Sequence, residues 1–318
     1  MSEPAGYRPA LHRYAVAVAC ATATLLFIGG LVTSTGSALS VPDWPLSFGK
    51  VFPPMTGGVL FEHGHRIVAA AVGLLTIVLA VWLWRAEPRR WVRRLGAAAL
   101  AAVVLQGVLG GITVLLKLPV AVAVAHAGLA EIFFCLTAAI ALVTSPGWLE
   151  AGEPAADAGW PPLRALSAAT VAVIYLQVLA GALVRHSGAG LAIPDFPLAF
   201  GRLWPSAMSA PVAYQLVHRA GALLVTGMVL WTVVTVLRRH ADLPALRRPA
   251  TLQLLLLAFQ IYLGAAIIWT RRAVVPATTH VLSGALVLVT SLVLALRARR
   301  LLAPQAASRK DAAARAAA

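Results

Sequence analysis

Residues 29–49 read GGLVTSTGSALSVPDWPLSFG, and residues 181–201 read GALVRHSGAGLAIPDFPLAFG. The two stretches align without a gap at an offset of 152. Each leaves a long apolar run and ends in the same core, Pro42-Asp43-Trp44-Pro45-Leu46 in one copy and Pro194-Asp195-Phe196-Pro197-Leu198 in the other. The correspondence continues downstream. His65-Arg66 matches His218-Arg219 at an offset of 153, Gln106 and Gly110 match Gln260 and Gly264 at 154, and His126 matches His280 at 154. Four separated matches in the same order mark a duplicated unit.

The apolar runs around these motifs set the fold class. A spanning helix needs about 20 apolar residues, and eight runs qualify: 14–34, 60–84, 95–116, 120–144, 163–186, 212–237, 250–270 and 274–296. Lipid offers no partner to an exposed backbone group, so runs of this length are read as helices. The fold class expected is all-α integral membrane, with eight transmembrane helices arranged as two pseudo-twofold-related four-helix bundles. Four spans is an even number, so both copies keep one orientation and should be related by an axis along the membrane normal. The halves are read as 1–149 and 163–300, joined by a linker over 150–162. Residues 301–318 are read as a disordered, Ala-rich tail. The first run is read as a retained helix rather than a signal peptide.

Composition agrees with this reading. Of 318 residues, 60% are hydrophobic and 12% charged, against about 25% charged in a soluble domain. The net charge of +15 is of the size that nucleic-acid binders carry, but its distribution is that of a topology signal. Of the 26 Lys and Arg, 18 fall on the side of the termini and 6 in the opposite loops, with Arg66 and Arg219 inside helices. The positive-inside rule then places both termini in the cytoplasm of a cell-membrane protein. The two opposite-side loops that carry the PDWP and PDFP motifs are expected to be ordered and packed over the bundle. Cys20 and Cys135 lie in apolar runs and have no metal-type spacing.

Four histidines carry the chemistry. His65, His126, His218 and His280 open the second, fourth, sixth and eighth helices at similar depth, in the outer third of the bilayer. Ionisable residues inside a membrane are costly and usually functional, and histidine is a common haem-iron ligand. Hydrogen bonding between helices and a zinc site are the competing readings. Two matched pairs, without cysteine and with few carboxylates at that depth, favour two bis-histidine haem sites. Arg66 and Arg219 are read either as snorkelling to the headgroups or as partners of haem propionates. Glu62 shares a helix face with His65 at a spacing of three, and its counterpart is Gln215. That asymmetry points to proton-linked chemistry in the first half and a supporting cofactor in the second. The competing reading of Glu62 is a helix cap. Glu131 is read as a bundle-interior partner or part of a proton path. His63 is read as a loop or rim residue, and His12, His186 and His240 as helix-end residues without a role.

The loop PDWPLSFG, the Glu62-x-x-His65-Arg66 element and the single histidines opening helices four, six and eight resemble the haem A synthase family. The resemblance covers nearly the whole chain. It implies an oxidoreductase that converts the C8 methyl of haem O to a formyl group, giving haem A for terminal oxidases. It further implies that His218 and His280 ligate a resident haem b. His65 and His126 would flank or ligate the substrate haem O, and Glu62 would be the family's important acid. The implied partners are a haem O-producing farnesyltransferase, an electron donor and the lipid bilayer; nucleic acid is excluded, and homo-oligomerisation is left open. A b-type diheme electron-transfer cytochrome and a haem carrier in oxidase assembly are the competing functions. The chain departs from the many members with a cysteine pair in this loop. It has Ser40, Val41 and Ser47, with Ile193 and Ala199 in the second loop, so a mechanism needing an external thiol cannot operate here.

Overall fold

Each long apolar run is a single helix in the computed structural model, which describes residues 6–157 and 159–304. The helices are α1 (Pro9–Ser34), α2 (Gly58–Ala86), α3 (Arg90–Leu115), α4 (Val120–Val143), α5 (Leu163–His186), α6 (Ala210–Arg239), α7 (Pro244–Trp269) and α8 (Val274–Leu301). All eight are long and apolar enough to cross a membrane, and the protein is an all-α, multi-pass membrane protein. Several helices begin before their apolar run. Proline in the first turn assists α1, α6 and α7, where a missing N–H costs nothing. Ser209 also caps α6 by accepting from the Val212 amide.

Within the first unit α1 packs on α2, α2 on α3, α3 on α4, and α4 returns to α1. The second unit closes the same ring, α5 to α6 to α7 to α8 and back to α5. Each ring has its own apolar core. Leu11, Val72, Leu79, Leu83 and Ile140 lie in one, and Leu163, Val229, Val233, Leu246 and Leu294 in the other. The units meet through their first and last helices: α1 on α8, α4 on α5, and α4 on α8.

The sequence repeat extends to the backbone. The α3–α4 turn places Lys117 and Leu118 at φ +58° and +62°, and the α7–α8 turn places Arg271 and Arg272 at +51° and +69°. Non-glycine residues reach this region at a cost of roughly 1–2 kcal/mol each. The same pair of costs is therefore accepted twice, to close the same short connection. The PDWP and PDFP loops are ordered, as expected. Asp43 accepts from the Phe48 and Gly49 amides at 2.7 and 2.8 Å, and Asp195 accepts from Phe200 and Gly201, both at 2.7 Å. These bonds, led by Gly49 at Asp43 and by Gly201 at Asp195, hold both carboxyls below the usual aspartate range.

The described residues between the units are anchored too. Ala155–Asp157 (β1) pairs in parallel with Leu302–Pro304 (β2). The buried Asp157 accepts from the Leu163 and Arg164 amides at 2.9 and 3.0 Å, satisfying free N–H groups at the start of α5. Arg300 donates to the Ala151 carbonyl. The disordered tail expected from residue 301 is thus corrected for 301–304, where β1 supplies a pairing partner no apolar pattern announces. Residues 305–318, with the tail's remaining basic residues, lie outside the described residues.

Candidate functional site: two histidine pairs

The four histidines occupy equivalent places. His65 (α2) lies against Gly29 of α1, and His218 (α6) against Gly181 of α5. His126 (α4) lies against Gly110 of α3, and His280 (α8) against Gly264 of α7. A Cβ at these glycines would come within 3.1, 2.9, 3.3 and 3.3 Å of the ring Cε1, respectively. Each ring therefore brings its Cε1 edge into the space a side chain would fill, and the absence of that side chain is what admits it. His65 and His126 come from helices separated by a neighbour on either side of their ring, α2 and α4, as do His218 and His280 from α6 and α8.

Glutamine side chains position three of the four rings. The Gln106 amide contacts His126 Nε2 at 3.3 Å and its carbonyl oxygen at 3.0 Å. Gln260 contacts His280 Nε2 at 3.2 Å. Gln177 contacts His218 Nδ1 at 3.0 Å and its carbonyl oxygen at 2.8 Å. The sequence counterpart of Gln177 is Leu25, and His65 has no such partner. Buried ring nitrogens of His65, His126 and His280 have no hydrogen-bond partner. These are Nδ1 atoms, on the side nearer the glycines, while Nε2 of His65 and of His218 has no hydrogen bond to protein among the described residues and is free to meet an electrophile such as haem iron. The donor set and glycine-lined walls fit such a group. Among the described residues, no three His, Cys, Asp or Glu side chains come together as a metal cluster. The zinc alternative thus finds only histidine pairs.

Glu62 and Arg66 form a latch between α2 and the first loop. Glu62 Oε2 accepts from the Val41 amide at 2.9 Å, and Oε1 pairs with Arg66 Nη2 at 2.8 Å. Arg66 also donates to the carbonyls of Asp43 at 2.7 Å, Leu46 at 2.9 Å and Val41 at 3.2 Å. The second unit repeats this with a neutral side chain: Gln215 Oε1 accepts from Ile193 N at 2.6 Å, while Arg219 donates to Leu198 and Asp195 carbonyls at 2.8 and 2.7 Å. Neither plain snorkelling nor a simple helix cap describes these residues; they bind the loop to the bundle.

His63 is a correction. It is not a rim residue but buried, because the first loop folds over it and Ser47 Oγ lies 2.7 Å from its Nδ1. In the second unit the corresponding residues are Ala199 and Leu216, which pack as an apolar cluster. The signal available in the sequence was this paired substitution, Ser–His for Ala–Leu. Among the helix-end histidines, His12 contacts Thr144 and the buried His240 lies 3.9 Å from Asp157. Glu131 is buried in the bundle interior, with one carboxyl oxygen enclosed and unpartnered.

The fold and site together define a polytopic all-α membrane protein with a histidine pair inside each of two four-helix rings. Residues 56–293 match the family of cytochrome oxidase assembly proteins. The chain is 35% identical over 263 residues to the heme A synthase of Symbiobacterium thermophilum, covering 79% of this chain and 84% of that protein. It is 29% identical to the heme A synthase of Alkalihalophilus pseudofirmus, covering 86% and 92%, and 29% identical to that of Geobacillus kaustophilus, covering 91% and 93%. The chain belongs to the cytochrome oxidase assembly protein family.

Proposed function

We propose that this protein is a haem A synthase, oxidising the C8 methyl of haem O to a formyl group and so supplying haem A to a terminal oxidase. The observation that carries the reading is the two glycine-backed histidine pairs within a chain of this family. Haem iron, when bound, supplies one-electron and oxygen chemistry that side chains lack. The residues of the chain bind, orient and manage protons. His218 and His280 would hold a resident haem b, since both rings are fixed by glutamines. His65 and His126 would hold haem O, and the absence of a glutamine on His65 suits a site whose occupant must leave. Glu62 would move a proton near the reacting group. Its neutral counterpart Gln215 keeps the loop latch without that capacity. Arg66 and Arg219 would face propionates in addition to holding their loops. Arg219 is the freer of the two because it sits beside Gln215 rather than a carboxylate.

In this reading the units 1–149 and 163–300 are pseudo-twofold copies, a relation supported by the matching helix rings and by the exchange of α1·α8 for α5·α4. The protein lies in the plasma membrane with both termini cytoplasmic, as the 18-to-6 charge asymmetry suggests. It receives haem O from a farnesyltransferase and electrons from a separate donor. Co-expression with a source of haem O, followed by mass analysis of extracted haems, tests the function. Haem A or a hydroxylated intermediate is expected. Recovery of unmodified haems alone would favour an electron-transfer cytochrome or a carrier.

A further inference from the structure

The interface between the two units is not the same on its two sides. Where α1 meets α8, a groove of about 420 Å³ runs between α1, α4 and α8. It extends from His12 and Arg297, at the end of the bundle that carries the termini, to Ala23, Phe134 and Leu286. From His12 to Ala23 is eleven residues, or about 16 Å of helix. That is close to one leaflet of a hydrocarbon core about 30 Å thick. Ala19, Ala23, Ala138 and Ala141 form much of the wall, and Val16 and Cys20 leave it open along one side.

The repeat shows that this space is particular to one side. The residues of the second unit corresponding to Ala19 and Ala23 are Val171 and Tyr175, and Leu292 corresponds to Ala138. On that other side, Tyr175 and Val171 pack onto the core of the second unit, and the tyrosine hydroxyl donates to the Gly128 carbonyl of α4 at 3.3 Å. The space left by Ala23 on the first side is filled by protein on the second.

The polar residues lie at one end only. Arg297 is half-buried and spends Nη1 on the Ala245 carbonyl at 2.8 Å, and His12 contacts Thr144 Oγ1 through Nδ1. Among the described residues, no carboxylate lines the groove. A guanidinium at headgroup level, above an apolar channel one leaflet long, is complementary to an anionic headgroup with its hydrocarbon chain. We propose that this groove is a binding site for one anionic phospholipid, its phosphate at Arg297 and His12 and one acyl chain along Ala19, Ala23 and Ala138.

The test is lipid retention by the full-length protein, purified in detergent and offered phosphatidylglycerol or phosphatidylcholine, with bound lipid counted by native mass spectrometry. One phosphatidylglycerol should survive washing that removes phosphatidylcholine. Arg297→Gln should reduce its retention about tenfold. Ala23→Tyr, which installs the other unit's residue, should abolish it, and Ala138→Leu is the second groove-filling variant should Ala23→Tyr fail to fold. Equal retention of both lipids, retention unaffected by Arg297→Gln and a groove-filling variant, or recovery of a quinone in place of a phospholipid would each overturn the proposal.

Discussion

Replacing Glu62 by glutamine separates a structural role from a chemical one, and the second unit shows in advance what the structural result must be. Gln215 stands at the equivalent position. It accepts from the Ile193 amide at 2.6 Å, much as Glu62 accepts from Val41 at 2.9 Å. The variant should therefore keep the loop docked. What it loses is the ion pair with Arg66 at 2.8 Å. A hydrogen bond to a charged group contributes about 1.5–3 kcal/mol and a neutral one about 0.5–1.5. The stability cost is thus roughly 1 kcal/mol. Arg66 keeps its three loop carbonyls, as Arg219 keeps its own beside Gln215. A positioned acid–base group, by contrast, contributes about 10²-fold or more to rate, which is roughly 2.7 kcal/mol of barrier. Purified Glu62→Gln should carry normal resident haem and melt a few degrees lower at most. Its conversion of haem O should fall by two orders of magnitude or more. Turnover near the parent rate would refute the assignment of proton chemistry to this carboxyl and reduce Glu62 to a loop latch.

Other consequences are as direct. Gly181→Ala places a Cβ 2.9 Å from His218 Cε1, against 3.3 Å for Gly264→Ala at His280. Overpacking of about 1–3 kcal/mol exceeds the gain of about 1 kcal/mol from helix propensity most clearly at Gly181, so Gly181→Ala should lose more resident-haem absorbance; the opposite order would exclude His218 as a ligand. Gln177→Leu, which copies Leu25, should free the His218 ring at a cost of about 0.5–1.5 kcal/mol and raise the rate at which haem is lost to an acceptor protein, whereas an unchanged rate would show that Gln177 does not position the ring. Asp43 and Asp195 have lowered pKa values in the folded loops, so their contribution is fully present above the unfolded value of about 3.9 and is lost as pH falls through the folded values. Hydrogen exchange at the Phe48, Gly49, Phe200 and Gly201 amides should therefore quicken, relative to other loop amides, only below about pH 4, and acceleration already near pH 6 would contradict the arrangement. Reporter fusions after Arg94 and near Gly201 should give opposite-side signals, and same-side signals would refute the topology.

The helices and the repeat were legible because both are written in one dimension: apolar runs of fixed length, and motifs recurring at offsets of 152 to 154. The histidines could be singled out because their depth follows from residue count along a helix. What was hidden depends on where a loop lands. His63 read as a rim residue because it neighbours Glu62 at a helix start, yet the loop bearing Ser47 covers it. Arg66 read as snorkelling to headgroups or pairing with a propionate because most of its partners are backbone carbonyls, which carry no residue identity. The glycines at 29, 110, 181 and 264 are visible in the sequence, but their purpose appears only when a ring from the next helix lies on them. The pairing of 155–157 with 302–304 joins segments more than a hundred residues apart and has no periodic signature.

That pairing has a mechanical consequence. The short parallel ladder, the Asp157 bonds to the start of α5 and the Arg300 contact with Ala151 pin the exit of the first unit to the exit of the second, all at the surface nearest the termini. The opposite surface is tied as well, because Arg185 of α5 donates to the Gly30 carbonyl and the Ser34 hydroxyl of α1 at 2.7 and 2.8 Å, and Thr278 of α8 donates to the same hydroxyl at 2.9 Å. The two units are therefore held to each other at both ends of their shared face, including the surface where α2, α4, α6 and α8 begin. Room for a broad, flat molecule entering from the side is thus to be sought within each four-helix ring and not between the two.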